Sequence, residues 1–225
     1  MSHPRLPWLL ALPILAFASL GLRAQAVEVC RTPDTLLERF ISAECEACWS
    51  NAGSLLGAPL VLDWIVPGPR GEDAPLSAAA LPEAARRGGV VSEIRTRERW
   101  HALAGPGTWD VEIEDGPAWN GYIAAQLRVT REGGRRGEEV DIYIALVEHL
   151  RAGEEGSPVE RMLVRSVAGP IPLDAQTTSV THMRGFRVPQ GSRPGRLTAF
   201  GWVESAGGIV LAAARVLPEA CMPAR

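Results

Sequence analysis

The second half of the chain alternates apolar and polar residues with a period of two, and this pattern constrains the fold more than any other feature. Trp109, Val111 and Ile113 alternate with polar residues, and the pattern recurs over Val140–Leu146. A period of two is typical of half-buried strands. Gly-rich turns separate these segments from other strand candidates, namely Ile123–Val129, Val159–Val167, Thr178–Phe186, Arg196–Glu204 and Ile209–Val216. Residues 107–225 are therefore predicted to form an antiparallel β-sandwich.

The segment before it predicts a small α/β domain over residues 27–106. Thr35–Ile41 has the composition of a strand, residues 49–57 that of a helix, and Pro59–Val66 that of a second, buried strand. A helix between two strands implies that the strands pair in parallel. Two further segments have helix-favouring compositions, Leu76–Arg87 and Glu93–Leu103.

The N-terminus has the features of an export signal over residues 1–26. Trp8–Leu22 is uncharged and rich in Leu and Ala, and the small-x-small sequence Ala24-Gln25-Ala26 follows it. The apolar run is shorter than the ~20 residues that a helix needs to cross a bilayer. Cleavage after Ala26 is therefore predicted, which gives a periplasmic or secreted protein with no stable membrane anchor after signal removal.

Charge and composition exclude several classes of function. The chain has 23 basic and 26 acidic residues, a net charge of −3, and every basic residue is Arg. It has no strongly basic run, so nucleic acid is excluded as an expected partner. The absence of Lys excludes Lys nucleophiles and the P-loop Lys. No cofactor or metal is predicted, because His101, His149 and His182 stand far apart in the sequence.

Four cysteines follow the signal, and an even number in an oxidising compartment suggests pairing. Sequence alone allows ~3 connectivities. The spacing favours a CxxC bond between Cys45 and Cys48, which leaves Cys30 to pair with Cys221 near the C-terminus. The second bond would close almost the whole mature chain, and such a long loop can stabilise by up to about 5 kcal/mol. Cys30–Cys221 is therefore predicted to be structural, and the CxxC to be chemical.

The CxxC lies between a predicted strand and a predicted helix. This position puts Cys45 at a helix N-terminus, where free N–H groups favour a thiolate that attacks a partner, while Cys48 lies one turn later as the resolving thiol. Glu44 and Glu46 flank Cys45 and oppose its ionisation. A reductase-like or weakly exchanging couple is the resulting expectation.

The segment LERFISAECEAC, residues 37–48, resembles a family of exported thioredoxin-like proteins of unknown function. In that family, a segment of the type E-L-F-T-S-x-x-C-x-x-C opens the mature domain. The resemblance implies a thioredoxin-like CxxC domain, here over 27–106, followed by a C-terminal β-sandwich, here over 107–225.

Three other sites have two interpretations each. Asp63 lies in an apolar strand run and is either a buried, proton-handling carboxylate beneath the dithiol or a solvent-facing residue, and the second interpretation is preferred. His101 is interpreted as a packing or surface residue, the alternative being a copper ligand beside the dithiol. Trp49 and Trp64 are interpreted as core residues, the alternative being a peptide groove beside the dithiol.

Two functions from different classes follow from these observations. The first is an exported thiol–disulfide exchange protein that acts through Cys45 and Cys48 on a protein thiol or disulfide partner. The alternative is a non-catalytic binding or scaffold protein with a vestigial thioredoxin-like domain, whose disulfides are structural.

Overall fold

The described part of the protein consists mainly of β-strands. The structure is a computed structural model and describes residues 33–51, 60–89, 95–103, 108–132 and 137–216. The strands in these ranges are β1 (Thr35–Ser42), β2 (Leu60–Val66), β3 (Thr96–Ala102), β4 (Trp109–Asp115), β5 (Tyr122–Arg131), β6 (Val140–Leu150), β7 (Arg161–Leu173), β8 (Ser179–Arg187), β9 (Leu197–Ser205) and β10 (Val210–Arg215). The α-helices in the same ranges are α1 (Glu46–Ser50) and α2 (Pro82–Gly88).

The strands form two sheets. One has seven strands in the order β10-β9-β6-β7-β2-β1-β3, and the other has three in the order β4-β5-β8. β1 and β2 are parallel, with Phe40 opposite Trp64, which confirms the predicted parallel pair. β2 also pairs in parallel with β7 at Asp63 and Leu163. The remaining neighbours in both sheets are antiparallel.

The predicted fold class, a small thioredoxin-like α/β domain followed by an antiparallel β-sandwich, is wrong, because the described residues are mainly all-β. Thr96–Ala102 lies in a segment with a helix-like composition but forms β3, which pairs along the free edge of β1. The other edge of the β1–β2 pair is taken by β7, so these strands belong to one large sheet. The helices α1 and α2 are only 5 and 7 residues long and do not form a layer of their own.

The coarser expectation of sandwich-like packing is confirmed. In β5, exposed and buried residues alternate, so its inner face carries Ile123, Leu127 and Val129. These side chains share one core with Ile144 and Ala199 of the seven-stranded sheet. Gly201 is needed here, because a Cβ at this position would collide with the side chain of Leu127. Burial of the apolar inner faces, at roughly 25 cal/mol per Å², holds the two sheets together.

The seven-stranded sheet is strongly curved, and the curvature brings its two edge strands together. β3 and β10 are at opposite ends of the strand order, yet the Val210 N–H donates to Nδ1 of His101 over 3.2 Å. A sheet twists and coils through its strand sterics, and here the coiling brings the edges together. Its concave face holds an apolar core that includes Phe40, Trp64 and Trp202.

The short helices lie beside the β1–β2 pair. α2 begins with Pro82, which suits the first helical turn because its missing N–H needs no partner there. Gly88 of α2 packs directly against the ring of Phe40. Among the residues that the structure describes, no helix has the length and apolar character that a membrane crossing requires. The predicted signal at residues 1–26, Cys30, Cys221 and the C-terminal part of the helix predicted over 49–57 lie outside the described ranges.

Candidate functional site

The CxxC forms a disulfide at the start of α1. Cys45 and Cys48 are joined by an S–S bond of 2.02 Å, with their Cα atoms 5.2 Å apart. β1 ends at Ser42, a two-residue turn follows, and Cys45 is the N-cap of α1. Its Sγ accepts a hydrogen bond from the Cys48 N–H over 3.1 Å. The expected position of the motif between a strand and a helix is therefore confirmed.

The two sulfur-bearing residues differ in exposure. Cys45 is buried, with 4% of its surface exposed, whereas Cys48 is half-buried. In this disulfide form, Cys45, which the sequence predicts to be the attacking residue, is therefore the less exposed of the two. Arg70 forms an ion pair with Glu44, and its hydrogen bonds hold the pKa of that carboxyl below the usual range. Glu44 therefore opposes ionisation of the neighbouring thiol less than the sequence suggests.

A buried charge cluster lies on the face of β1 and β2 that carries α1. The Asp63 carboxylate accepts hydrogen bonds from Arg39 over 3.2 Å and from Arg161 over 3.3 Å. Arg161 also donates to the carbonyl oxygens of Trp49 and Asn51, over 2.7 and 2.9 Å, at the end of α1. The preferred interpretation of Asp63 as solvent-facing is wrong, because its side chain is buried. The sequence did not indicate this, since its partner Arg161 belongs to β7 and reaches Asp63 only through the tertiary fold.

The negative charge of the buried Asp63 is incompletely compensated. Burial raises its pKa, and the charges of Arg161 and Arg39 do not offset that cost. Its Oδ2 is buried and has no hydrogen-bond partner within the described ranges. The Arg161 guanidinium also lies 4.8 Å from the centre of the Trp49 ring, whose Nε1 donates to the Glu155 carbonyl over 2.7 Å. The Arg161 side chain of β7 and a backbone carbonyl in the turn after β6 thus hold α1 in place.

A second charge cluster lies on the opposite face of the same strands. Adjacent strand residues point to opposite faces, so Glu38 and Arg39 serve different clusters. Glu38 pairs with Arg87 of α2 and lies 3.0 Å from Nε2 of His101. Arg87 also pairs with Glu204 of β9. Burial acts to raise the pKa of Glu38, but the bonds from His101 and Arg87 outweigh it and hold the pKa below its usual value.

His101 is not a ligand beside the disulfide. Its Nδ1 accepts from the Val210 N–H, so in the neutral ring Nε2 carries the proton and donates to Glu38. Both nitrogens are used on the face opposite Asp63. Within the parts of the chain that are described, no three His, Cys, Asp or Glu side chains form a group that could hold a metal ion.

Aromatic rings surround the Arg87 guanidinium. The ring centres of Trp202, Tyr143 and Trp64 lie 5.0, 5.4 and 6.0 Å from its central carbon. Tyr143 and Trp202 stack on each other at 5.1 Å. Trp49 belongs to α1 and packs on the α1 face of the sheet. Trp64 follows Asp63 in β2 and points to the opposite face of the sheet. The alternative that both tryptophans line one groove beside the dithiol is therefore wrong.

A cavity of about 920 Å³ opens beside this second cluster, away from the disulfide. It lies between β3, α2 and the turn that joins β9 to β10. Its lining includes Trp64, Arg87, Trp100, Tyr143, Trp202 and Ile209. Sequence reasoning missed this site; the one signal was the presence of a charged residue, Glu38, inside an apolar strand.

Comparisons with known proteins give a fold but no family. No family model matches the chain, and no curated protein matches it. Among solved structures, HBP35 of Porphyromonas gingivalis is similar, with a TM-score of 0.55, 10% identity and coverage of 83% of this chain and 75% of that one. The protein AGR_C_4864 from Agrobacterium tumefaciens has a TM-score of 0.48 at 12% identity, covering 87% of this chain and 99% of that one. At these identities, the likeness to the Porphyromonas protein shows a shared fold alone.

Proposed function

We propose that the protein is an exported thiol–disulfide exchange protein whose redox centre is the Cys45–Cys48 disulfide. The observation that carries the proposal is the asymmetry of this disulfide at a helix start. One sulfur is buried and accepts a backbone N–H, while the other residue is half-exposed. A dithiol protein that supplies two electrons is the partner class.

The exposure assigns a role to each cysteine in the exchange. A partner thiolate attacks Sγ of Cys48, the more accessible residue, and a new S–S bond forms as the Cys45–Cys48 bond breaks. Cys45 leaves as a thiolate, and the Cys48 N–H donates to it, which favours departure. A second partner thiolate then attacks the partner sulfur of the mixed disulfide and releases Cys48. The partner becomes the disulfide, and the two thiolates of this protein take protons from solvent according to the pH.

These roles invert the sequence expectation for the first contact. From the sequence, Cys45 is the attacking thiolate and Cys48 the resolving thiol. In the oxidised protein, burial of Cys45 makes Cys48 the residue that a partner reaches. In the reverse direction, the Cys45 thiolate displaces the partner from Cys48 and closes the disulfide.

Trapping of mixed disulfides tests the proposal. The full chain, exported and processed, is compared with Cys45→Ser and Cys48→Ser, with Ser50→Ala as a control on the exposed side of α1. With dithiothreitol as the reductant, we expect the wild type and the control to accelerate insulin reduction and both Cys variants to lose this acceleration. Cys45→Ser should trap the disulfide form of the partner: the Cys48 thiolate attacks the partner disulfide and releases one partner thiolate, and the variant has no Cys45 to displace the partner from Cys48. Wild-type turnover equal to that of the Cys variants would exclude exchange.

The alternative is a binding or scaffold protein in which the disulfide is structural. One observation favours it: Arg161 and the Glu155 carbonyl, both outside α1, form hydrogen bonds that hold this helix. In that case Cys48→Ser lowers the melting temperature, and neither insulin reduction nor trapping occurs in any form. A CxxC bond closes a short loop, so the expected loss of stability is at most about 2 kcal/mol.

The Cys30–Cys221 bond is part of the proposal as a structural disulfide. Both residues lie outside the described ranges. Non-reducing peptide mapping of the exported protein should recover a Cys30 peptide joined to a Cys221 peptide. Recovery of Cys30 joined to Cys45 or Cys48 would remove both this bond and the free redox pair.

A further inference from the structure

The cavity between β3, α2 and the β9–β10 turn has the properties of a ligand site that is independent of the disulfide. Its volume of about 920 Å³ falls in the range of sites for small organic molecules, roughly 300–1,000 Å³. It opens where the curved sheet brings its two edges together at His101 and Val210. Two large apolar residues that line it remain exposed, Trp100 at 48% and Ile209 at 58%.

Two residues that line this cavity each carry a buried hydrogen-bond donor without a partner. Nη2 of Arg87 and Nε1 of Trp64 are both buried, and neither has an acceptor in the part of the chain that the structure describes. The guanidinium and the indole can only donate, so the group that would satisfy them is an acceptor. A buried donor without an acceptor is destabilising, so an acceptor that reaches either group is bound favourably.

The charges around the cavity favour an anion. Arg86, Arg87 and Arg99 line it, together with Glu83 and Glu204. Glu83 pairs with Arg86, and Arg87 pairs with both Glu204 and the buried Glu38. Arg99 donates to the carbonyl oxygen of Arg87, and no carboxylate among the described residues pairs with it. One positive charge at the cavity is therefore left without an ionic partner.

The aromatic lining favours a planar apolar body. Tyr143 and Trp202 are stacked at 5.1 Å, and the half-exposed Trp100 stands on β3 across the cavity from the β9–β10 turn. Aromatic rings bind planar groups by offset or edge contacts. We propose that this cavity binds a small organic acid whose carboxylate faces the arginines and whose planar apolar part packs against the aromatic side chains.

Two matched probes test the proposal, 1-naphthaleneacetate and its uncharged amide, which have nearly the same shape. Calorimetric titration of the full processed chain should give one saturable site. The acid should bind about tenfold more tightly than the amide, because a charge-assisted hydrogen bond is stronger than a neutral one. Arg99→Gln should remove most of this preference, whereas the exposed Arg184→Gln on β8 should keep it.

A second pair of variants tests the location. Trp100→Ala should weaken binding of both probes by about tenfold, since it removes a stacking surface. Trp119 is 82% exposed and lies between β4 and β5, away from the cavity lining, so Trp119→Ala is the matched control and should change neither affinity. Equal affinity for acid and amide would overturn the anion assignment. Equal effects of the two tryptophan variants, or no saturable binding of either probe, would overturn the site.

Discussion

The two faces of the β1–β2 pair each bury a charge cluster, and the clusters behave in opposite ways. On the α1 face, Asp63 meets two arginines, yet burial raises its pKa. On the α2 face, Glu38 meets one arginine and one histidine, yet its pKa is lowered. The number of nearby cations therefore does not decide the direction of the shift.

Completeness of hydrogen bonding accounts for the difference. Both oxygens of Glu38 are used, Oε1 by Arg87 and Oε2 by His101. Oδ1 of Asp63 receives both arginine bonds, and the Met162 backbone also acts to lower the Asp63 pKa, but Oδ2 meets no donor in good hydrogen-bond geometry among the described residues. A buried carboxylate is stabilised when each of its oxygens accepts a hydrogen bond. An oxygen that accepts none still carries the cost of its removal from water.

The largest expected effect is the loss of Arg161. We expect Arg161→Met to lower the free energy of unfolding by about 3–5 kcal/mol, because it breaks a buried ion pair and leaves the carbonyls of Trp49 and Asn51 without that donor. Urea denaturation measures the change. Arg86→Met is the control, because Arg86 is exposed and its pair with Glu83 lies on the surface. If Arg161→Met lowered the free energy of unfolding as little as the control does, Arg161 would not stabilise the packing of α1.

The next effect concerns Glu38. Glu38→Gln should cost about 1–3 kcal/mol at neutral pH, since it removes a charged acceptor from Arg87 and His101. Because the folded-state pKa lies below the ordinary 4.5, the wild-type advantage should be fully present above that pH. It should disappear as the pH falls through the folded-state pKa. Unfolding curves from acid to neutral pH check this slope, and an advantage that grows on acidification would contradict it.

Asp63 should give the opposite slope. Its folded-state pKa lies above the ordinary 3.8, so the stability from its protonated form is present below that pH and is lost as the pH rises through the folded-state pKa. The stability difference between the wild type and Asp63→Asn should therefore decrease as the pH increases. The same titration series measures it. Parallel slopes for Glu38→Gln and Asp63→Asn would remove the contrast between the two faces.

The smallest effect is expected at Arg70, beside the disulfide. Arg70→Gln frees Glu44 from its surface ion pair, and exposed pairs add little stability. The freed charge should raise the pKa of the Cys45 thiol and make the couple slightly more reducing. The pH dependence of alkylation of the reduced protein reports this shift. Adding Glu44→Gln to Arg70→Gln should return the pKa of the Cys45 thiol toward the wild-type value. An unchanged pKa would mean that the Glu44 charge does not act on the thiol.

Local patterns predicted much of the strand content. The alternation over Trp109–Ile113 and Val140–Leu146 predicted strands that the structure confirms as parts of β4 and β6. The apolar run before Pro67 predicted a strand that the structure confirms as β2. The helix expected over Glu93–Leu103 is wrong. A charged composition favours a helix only weakly, and pairing with a free sheet edge outweighs that preference. β3 forms because β1 offers it an unpaired edge.

The sequence by itself determined the CxxC, its place between a strand and a helix, and the parallel neighbour that follows, because each depends on residues close in the chain. The tertiary structure alone decided what surrounds that motif. Arg161 reaches Asp63 from 98 residues away, and Arg87 meets Glu204 from 117 residues away. Such contacts are set by strand order and sheet curvature, which no local pattern encodes. The charge clusters and the cavity between the sheet edges therefore emerged only with the fold.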